Sequence, residues 1–480
     1  MIYNDDIVFL TDLYEFTMAY TYFQENRHEE IVYFDMFARR VPDSGGYMIF
    51  SGLSRLIEGI QNFKFNQSHI DYLIECGFDD PAFLDYLLNM EITLDIWSVV
   101  DGTVVFGNEP LIVVKGPIIQ AQLIETFLLL SINYPTLVAT KASRIVTAAR
   151  GRAVLEFGAR RAHGYDAATE GARSAIIAGA TGTSNTLAGA KYGAYVSGTM
   201  AHSYIQMHDT EYDAFLSFAK INPDNAVFLV DTYDTLESGV INAIKVAKEY
   251  LMPNGYRLKA IRLDSGDLAY LSKEARKMLD EAGLNDCKIM ASNSLDEYLI
   301  DDLIYQGAEI DQFGVGEKLI TSKSEPVLGG VYKLVAQEKD GEIIPKIKVS
   351  ENIGKITNPG YKKLYRFYDR TTNKAVADYI ALHDEVIPQD EITIFDPEAP
   401  WKKQTITNYE IRDLHVPIFV NGACVYEGYP LYNTAVYAEK ERETFWDEVK
   451  RLHYPHQYYV DLSQKLYDLK LALLHKHSND

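Results

Sequence analysis

The sequence predicts an α/β protein: an irregular TIM-like α/β barrel with an additional α+β domain built from the N- and C-terminal regions. Three observations carry that expectation. From about 150 to 320, short apolar runs end in polar or glycine-rich clusters and lead into amphipathic helices, repeatedly. Residues 1–130 mix helix-like and strand-like segments without clean alternation. Residues 361–425 read as β-rich again, and Ala435–Leu474 reads as mainly helical. The expected divisions are an N-terminal α+β domain over 1–135, a barrel domain over 136–345 and a C-terminal region over 346–480.

In the first region, Leu10–Phe23 reads as a helix with Leu13, Phe16, Thr17 and Tyr20 on one face. Val32–Phe37 and Tyr47–Ser51 read as strands flanking the turn Pro42-Asp43-Ser44-Gly45-Gly46. Thr103–Phe106 and Leu111–Val114 are two more strands, joined by Gly107-Asn108-Glu109-Pro110. Ala121–Ile132 is the most apolar stretch. It is too short to span a bilayer and contains Gln122 and Glu125. Leu123, Phe127 and Leu130 recur at helical spacing, so it reads as a core helix.

The repeating units follow. Ala153–Phe157 runs into Gly158-Ala159-Arg160, Ala175–Ala180 closes a helix before Gly182, and Ala194–Ser197 precedes Gly198-Thr199. Val227–Val230 ends in Asp231, Leu258–Leu263 in Asp264-Ser265-Gly266, Lys288–Ala291 in Ser292-Asn293, and Ile310–Phe313 in Gly314-Val315-Gly316. Asp234 with Glu237 has capping-box spacing ahead of a face of Leu236, Val240, Ala243, Ile244 and Ala247. Ser294 with Glu297 repeats that spacing, and Leu268, Leu271, Ala275 and Leu279 form another stripe. Serial strand–helix units favour a parallel sheet whose polar strand ends converge on one face, where chemistry sits. Beyond them, Lys333–Ser350 is strand-rich and Thr357-Asn358-Pro359-Gly360 is a turn.

Composition narrows the function. The chain has 480 residues, 47% hydrophobic and 24% charged, with 46 basic against 68 acidic side chains and a net charge of -22. Such a surface repels nucleic acid and anionic membranes, so neither is an expected partner. Cations that hold an anionic substrate must then be gathered locally, which singles out Arg160, Arg161, Arg173 and Arg262. Cys76, Cys287 and Cys424 are scattered, which disfavours a zinc site and a disulfide framework. With no basic signal-peptide region at Met1–Asp6, the expected compartment is the reducing cytoplasm.

Each strand-end motif has a functional reading and a plainer one. Arg160-Arg161 after Phe157 suits a carboxylate or phosphate fork beside a flat apolar ring, or a surface salt bridge beside a core aromatic. Arg262 with Asp264-Ser265-Gly266-Asp267 suits a phosphate and a sugar diol, or a helix N-cap. Gly314, Gly316 and Thr321 offer backbone N–H groups and a hydroxyl for a phosphate, although a GxG alone is weak evidence. Asp231-Thr232-Tyr233-Asp234 superficially resembles an acidic phosphoribosyl diphosphate loop but lacks the second adjacent acid, and Asp234 is committed to capping. His202 is favoured over His163 and His208 because it projects from the same strand-end face as Thr199 and Arg160. No GxSxG elbow, GxxxxGK[ST] loop or GxGxxG opening is present, which disfavours acyl hydrolases, P-loop ATPases and dehydrogenases.

Taken in order, these motifs resemble a known family. Leu10-Thr11-Asp12-Leu13-Tyr14, Phe157-Gly158-Ala159-Arg160-Arg161, Gly182-Thr183-Ser184-Asn185, Gly198-Thr199-Met200-Ala201-His202-Ser203, Val230–Thr235, Arg262–Asp267, and Gly314-Val315-Gly316 through Gly329–Leu334 stand as they do in nicotinate phosphoribosyltransferases. The resemblance covers most of the chain and is strongest from 10 to 335. It implies that nicotinate attacks C1 of phosphoribosyl diphosphate through its ring nitrogen, giving nicotinate mononucleotide and diphosphate. Mg²⁺ and coupled ATP hydrolysis assist, in the first step of NAD synthesis from the free acid. It also implies a homodimer with the active site at the interface.

By the same resemblance, Tyr14 from a partner subunit and Phe157 sandwich the pyridine ring. Arg160, with Thr199 or Ser184, pairs with the carboxylate. Arg262 and Asp264 hold the phosphoribosyl group, and Ser292, Asn293, Gly314, Gly316 and Thr321 line the 5′-phosphate site. His202 matches the histidine that ATP phosphorylates. Nicotinamide phosphoribosyltransferase has an Asp in place of Ser184, so a neutral Ser184 favours the acid substrate. The rivals are that enzyme, the shorter quinolinate enzyme, an aldolase-like sugar-phosphate barrel, and a catalytically dead relative.

Overall fold

The computed structural model describes residues 6–478. It divides into two compact units: Val138–Pro326, and the residues before Val138 together with those from Val327 onward.

The first unit is built on a six-stranded parallel sheet: β1 (Ala153–Glu156), β2 (Gly182–Thr183), β3 (Val227–Leu229), β4 (Ala260–Leu263), β5 (Lys288–Ser292) and β6 (Gln312–Val315). Its spatial order is β2-β1-β6-β5-β4-β3. Sequence neighbours pair along the sheet, and the last strand pairs with the first, Val315 opposite Glu156. That cyclic order is the order of a barrel. A parallel bridge from Thr183 to Val196 extends the β2 side, but no pair joins it to β3 among the described residues. One seam is therefore open, and residues 197–226 fill the chain between its two edges.

The strands are apolar runs because both faces are covered: all three residues of β3 are buried, as are the last four of β5. Their register sets the active face. Leu229 lies opposite Arg262, Leu263 opposite Ala291, Ser292 opposite Gly314, and Glu156 opposite both Val315 and Thr183. The C-terminal strand ends are thus level.

Two helix starts decide ambiguities. Asp234 caps as expected, accepting from the N–H groups of Leu236 (3.0 Å) and Glu237 (2.7 Å). Ser294 does not cap. Asn293 and Ser294 are left-handed (φ 84° and 55°), and the cap falls on Asp296, which accepts from Leu299 N–H at 2.8 Å. Glu297, expected to close that box, is fully buried and accepts from Lys141 (2.8 Å) and Arg144 (2.9 Å). A buried carboxylate beside two cations stays with them rather than turning back to a backbone N–H.

The second unit centres on a seven-stranded sheet in the order Glu342–Pro345, Gly330–Lys339, Ile31–Ala38, Ile112–Pro117, Asp95–Ser98, Val416–Val420 and Ala423–Cys424. Gly330–Lys339 pairs antiparallel along Ile31–Ala38, so the break expected at 345 falls at 326. Val104–Val105 and Ile112–Pro117 do not form a hairpin: the former pairs with Met48–Ile49, the latter lies between Ile31–Ala38 and Asp95–Ser98. The helix Leu13–Gln24 turns Glu15, Phe16 and Ala19 inward and leaves Leu13 and Thr17 exposed, unlike the expected face. Apolar residues surround this helix almost completely, so periodicity alone does not select its buried side. The apolar run Ile118–Ala148 is long enough to cross a bilayer by length and composition, yet 67% of its most apolar window is buried inside the protein. The helices Leu431–Glu443 and Gln464–Ser478 are separated by loop and the short strand Val460–Leu462, so the expected helical tail is interrupted.

A buried ionic cluster holds this second unit. Arg366 donates to both oxygens of Asp378 (2.7 and 2.6 Å), to Val104 O (2.7 Å) and to Glu441 (3.2 Å), and Arg412 also pairs with Glu441. Glu109 lies against Asp378; burial first, then the Asp378 charge, hold its carboxyl well above the ordinary range. Its Oε2 accepts from Phe106 N–H at 2.7 Å, while its buried Oε1 accepts nothing among the described residues. That is the arrangement of a protonated carboxyl donating to Asp378.

A group raised in the folded state favours folding fully at low pH and loses that contribution as pH climbs toward the folded pKa. As pH rises above the ordinary Glu pKa of about 4.3, the wild-type Tm is expected to fall more than that of Glu109→Gln, whose amide keeps the donor without titrating. Each pH unit of that rise corresponds to about 1.4 kcal/mol at most. Parallel Tm–pH curves for the two proteins would show that Glu109 is ionised.

Candidate active site

The polar residues at the level strand ends form one connected network. Arg262 donates from Nε to Ser292 Oγ (2.9 Å) and from Nη2 to Asp264 Oδ1 (3.1 Å). Ser292 Oγ in turn donates to Asp264 Oδ1. The Asp264 N–H donates to Asp231 Oδ2 at 3.0 Å, and the Ser265 hydroxyl donates to the same oxygen at 2.5 Å. Asp264 is free for this role because Asp267 is the N-cap of the helix Leu268–Glu281, accepting from Tyr270 N–H at 3.0 Å. His202 opens the helix His202–Gln206; its Nδ1 lies 3.1 Å from Thr232 Oγ1 and its Nε2 3.8 Å from Asp264 Oδ2.

An aromatic face adjoins this network. The Arg262 guanidinium sits 5.7 Å from the centroid of the Phe157 ring. Gly314 is needed beside that ring: a Cβ there would fall 2.6 Å from Phe157 Cδ2. Gly316 likewise leaves room for the Phe157 carbonyl, 3.1 Å from where its Cβ would be. Arg160 is exposed on the turn after Phe157 and makes no ion pair among the described residues, whereas Arg161 lies 3.8 Å from Glu317. Ser184 is exposed, with its N–H donated to the Glu156 carbonyl at 3.0 Å. The Thr199 hydroxyl is buried with no hydrogen-bond partner among the described residues, a group suited to a polar ligand.

The expected residues therefore divide. Phe157, Arg262, Asp264, Ser292 and His202 are tied together by these contacts. Gly314 and Gly316 serve the Phe157 ring and backbone before any phosphate. Asn293 is exposed on the left-handed turn after β5. Thr321 sits at the C-terminal end of the short helix Glu317–Ile320 and donates its hydroxyl to Glu317 O at 2.8 Å. That is the end where backbone dipoles disfavour an anion. Arg173 is buried, 5.6 Å over the Tyr192 ring.

Tyr14 belongs to the other unit, where it is 49% exposed beside Leu10 and Leu13. Burial, then the charges of Glu125 and Glu15, raise its phenol pKa. Burial likewise pushes Glu15 up to about 7.

Sequence reasoning set aside Asp231, which anchors the Asp264 loop and keeps a buried Oδ1 without a partner among the described residues. It also passed over Thr232 and Glu156. The available signal was the same in each case: a polar residue directly after a strand-forming apolar run.

Profiles of the nicotinate phosphoribosyltransferase family match its N-terminal domain at residues 9–133, the family region at 153–366 and its C-terminal domain at 361–470. The nicotinate phosphoribosyltransferase of Bacillus subtilis is 46% identical over 477 residues, spanning 98% of this chain and 96% of its own. The chain belongs to the nicotinate phosphoribosyltransferase family. A human member is 30% identical over 97% of this chain and 96% of its own length. The crystal structure of human nicotinic acid phosphoribosyltransferase superposes with a TM-score of 0.86 at 28% identity, covering 96% of this chain and 99% of that one. A nicotinate-nucleotide pyrophosphorylase from Pyrococcus furiosus shares the fold at 22% identity, with a TM-score of 0.70. The family region at 153–366 contains the whole strand-end network.

Proposed function

We propose that this chain transfers the phosphoribosyl group of phosphoribosyl diphosphate to the ring nitrogen of nicotinate, releasing diphosphate, and couples the step to ATP through His202. The observation that carries the reading is the Arg262 guanidinium bridging Phe157 on one side and Asp264–Ser292 on the other. It joins an aromatic face to a set of groups suited to a ribose and its anionic substituents.

In this reading nicotinate lies on Phe157 with its carboxylate toward Arg160, Ser184 and the buried Thr199 hydroxyl. Its ring nitrogen is unprotonated near neutral pH and needs no strong base. Loss of diphosphate leaves oxocarbenium-like charge on the ribose, which the Asp264 carboxylate stabilises while Arg262 neutralises phosphate. Ser292, Asn293 and the Gly314–Gly316 segment lie at the phosphate end, with Ser292 also orienting Arg262 and Asp264. Among the described residues no group of three or more acidic, His or Cys side chains is placed to hold a metal. Mg²⁺ needs only one or two carboxylates plus substrate phosphates, and the buried Asp231 Oδ1 near Asp264 fits that donor set. Bound there with diphosphate, Mg²⁺ supplies charge neutralisation of the leaving group. Exposed Leu10, Leu13 and Tyr14 support a homodimer in which Tyr14 of a second copy covers the base.

The test is mononucleotide formation from nicotinate or nicotinamide with phosphoribosyl diphosphate and Mg²⁺, with and without ATP, on a preparation sized by sedimentation. Product from nicotinate alone, raised by ATP with ADP formed in step, by a dimer, is expected. His202→Ala is expected to keep slow synthesis at high phosphoribosyl diphosphate while losing the ATP stimulation and ADP release. An unchanged ATP response in that variant would remove His202 from the coupling.

A further inference from the structure

Beneath the proposed base site lies a carboxylate to which that reading gives no role. Glu156, the last residue of β1, is fully buried. Its Oε1 accepts the Gly158 N–H, which starts the turn carrying Arg160. Its Oε2 accepts the Thr183 hydroxyl at 2.6 Å, and that hydroxyl in turn accepts the Asn185 N–H at 3.0 Å. Its own carbonyl accepts the Ser184 N–H at 3.0 Å. One residue therefore ties down the turn after β1 and the turn after β2, the two segments that carry Phe157, Arg160 and Ser184. The fit is tight as well: a Cβ at Gly158 would come within 2.8 Å of Glu156 Oε1 and 2.6 Å of Ile320 Cβ.

We infer that Glu156 is the positioning residue of the base site, its buried carboxylate fixing the gap across which a planar aromatic carboxylate is gripped. The inference rests on the proposed placement of nicotinate on Phe157 and Arg160. One carboxylate oxygen holds the Gly158 backbone N–H and the other the Thr183 hydroxyl, so the side chain acts as a spacer between two turns rather than as a ligand. Burial raises the Glu156 carboxyl pKa, and the bonds from the Thr183 hydroxyl and the Gly158 N–H work against that rise. Glu156 does not touch substrate in this arrangement; it acts through Gly158, Thr183 and Asn185.

Steady-state kinetics on the full-length protein test the idea, with KM read separately for the two substrates. Thr183→Val keeps the shape of the side chain but removes the hydroxyl, and Glu156→Gln replaces one acceptor by a donor. Each is expected to raise the KM for nicotinate about tenfold, with the KM for phosphoribosyl diphosphate within about twofold of wild type. The double variant is expected to be no worse than about the worse single one, because both break one linkage. Thr183→Ser restores the hydroxyl and is expected to recover most of the nicotinate KM. Parallel rises in both KM values, or a Thr183→Ser variant as impaired as Thr183→Val, would assign Glu156 and Thr183 a merely structural role and overturn the inference. Arg160→Ala separates the two levels of the argument. If it leaves the nicotinate KM unchanged, the base site itself is misplaced. If it raises that KM while the Glu156 and Thr183 variants do not, the base site stands and the positioning role falls.

Discussion

Replacing Arg262 by alanine is expected to lower kcat/KM for phosphoribosyl diphosphate by about a thousandfold, or about 4 kcal/mol of transition-state stabilisation. The size follows from how many things one guanidinium does. It donates to Ser292 and Asp264, fixing the carboxylate that the proposed function assigns to the ribose, and its cation lies over the Phe157 ring. Removing it leaves Asp264 with a hydroxyl donor but no cation, and adds net negative charge where an anionic diphosphate must sit. The KM for nicotinate is expected to rise as well, because the ring loses its neighbour. Lysine is expected to recover only part of the loss: an ammonium restores charge but not a planar fork that reaches two acceptors at once. Initial rates with each substrate varied in turn give the answer. A loss of less than about tenfold would place Arg262 outside the phosphoribosyl site.

How much of this was legible beforehand depended on how local each signal was. The parallel sheet was readable because strands covered on both faces are mostly continuous apolar runs, several of them followed by a polar or glycine-rich strand end. Asp264 was ambiguous because Asp264 and Asp267 both have N-cap chemistry three residues apart; only the bond from Tyr270 N–H to Asp267 assigns the cap and frees Asp264. Ser294 and Thr321 are ambiguous in sequence for a related reason. Their spacing fits a cap or a phosphate loop, but a hydroxyl goes to whichever acceptor the backbone turn presents, and sequence does not give the turn. Glu156 was hidden because its partners, Gly158 and Thr183, are united only when β1 and β2 pair. The placement of Gly330–Lys339 beside Ile31–Ala38 was equally invisible, since strand pairing across some three hundred residues leaves no periodic trace.

Ser184→Asp is the sharpest test of substrate choice, and it is expected to lower kcat/KM for nicotinate by about a hundredfold while affecting nicotinamide far less. Ser184 is exposed on the turn after β2, with its N–H held by the Glu156 carbonyl. A carboxylate built on that backbone would stand on the side of the base site that Arg160 serves. Two like charges about 4 Å apart at an effective dielectric near 20 repel by about 4 kcal/mol. The position is open to water, which screens roughly a third of that, and the remaining ~2.7 kcal/mol corresponds to the hundredfold loss. A carboxamide carries no charge and offers N–H donors that the new carboxylate accepts, so the variant is expected to shift preference toward the amide. On the proposed placement of nicotinate, the neutral residue acts by not repelling: Arg160 supplies the attraction, and Ser184 keeps it from being cancelled. Equal kcat/KM for nicotinate in wild type and Ser184→Asp would mean that the substrate carboxylate points elsewhere. Arg160 would then have to be reassigned together with Ser184.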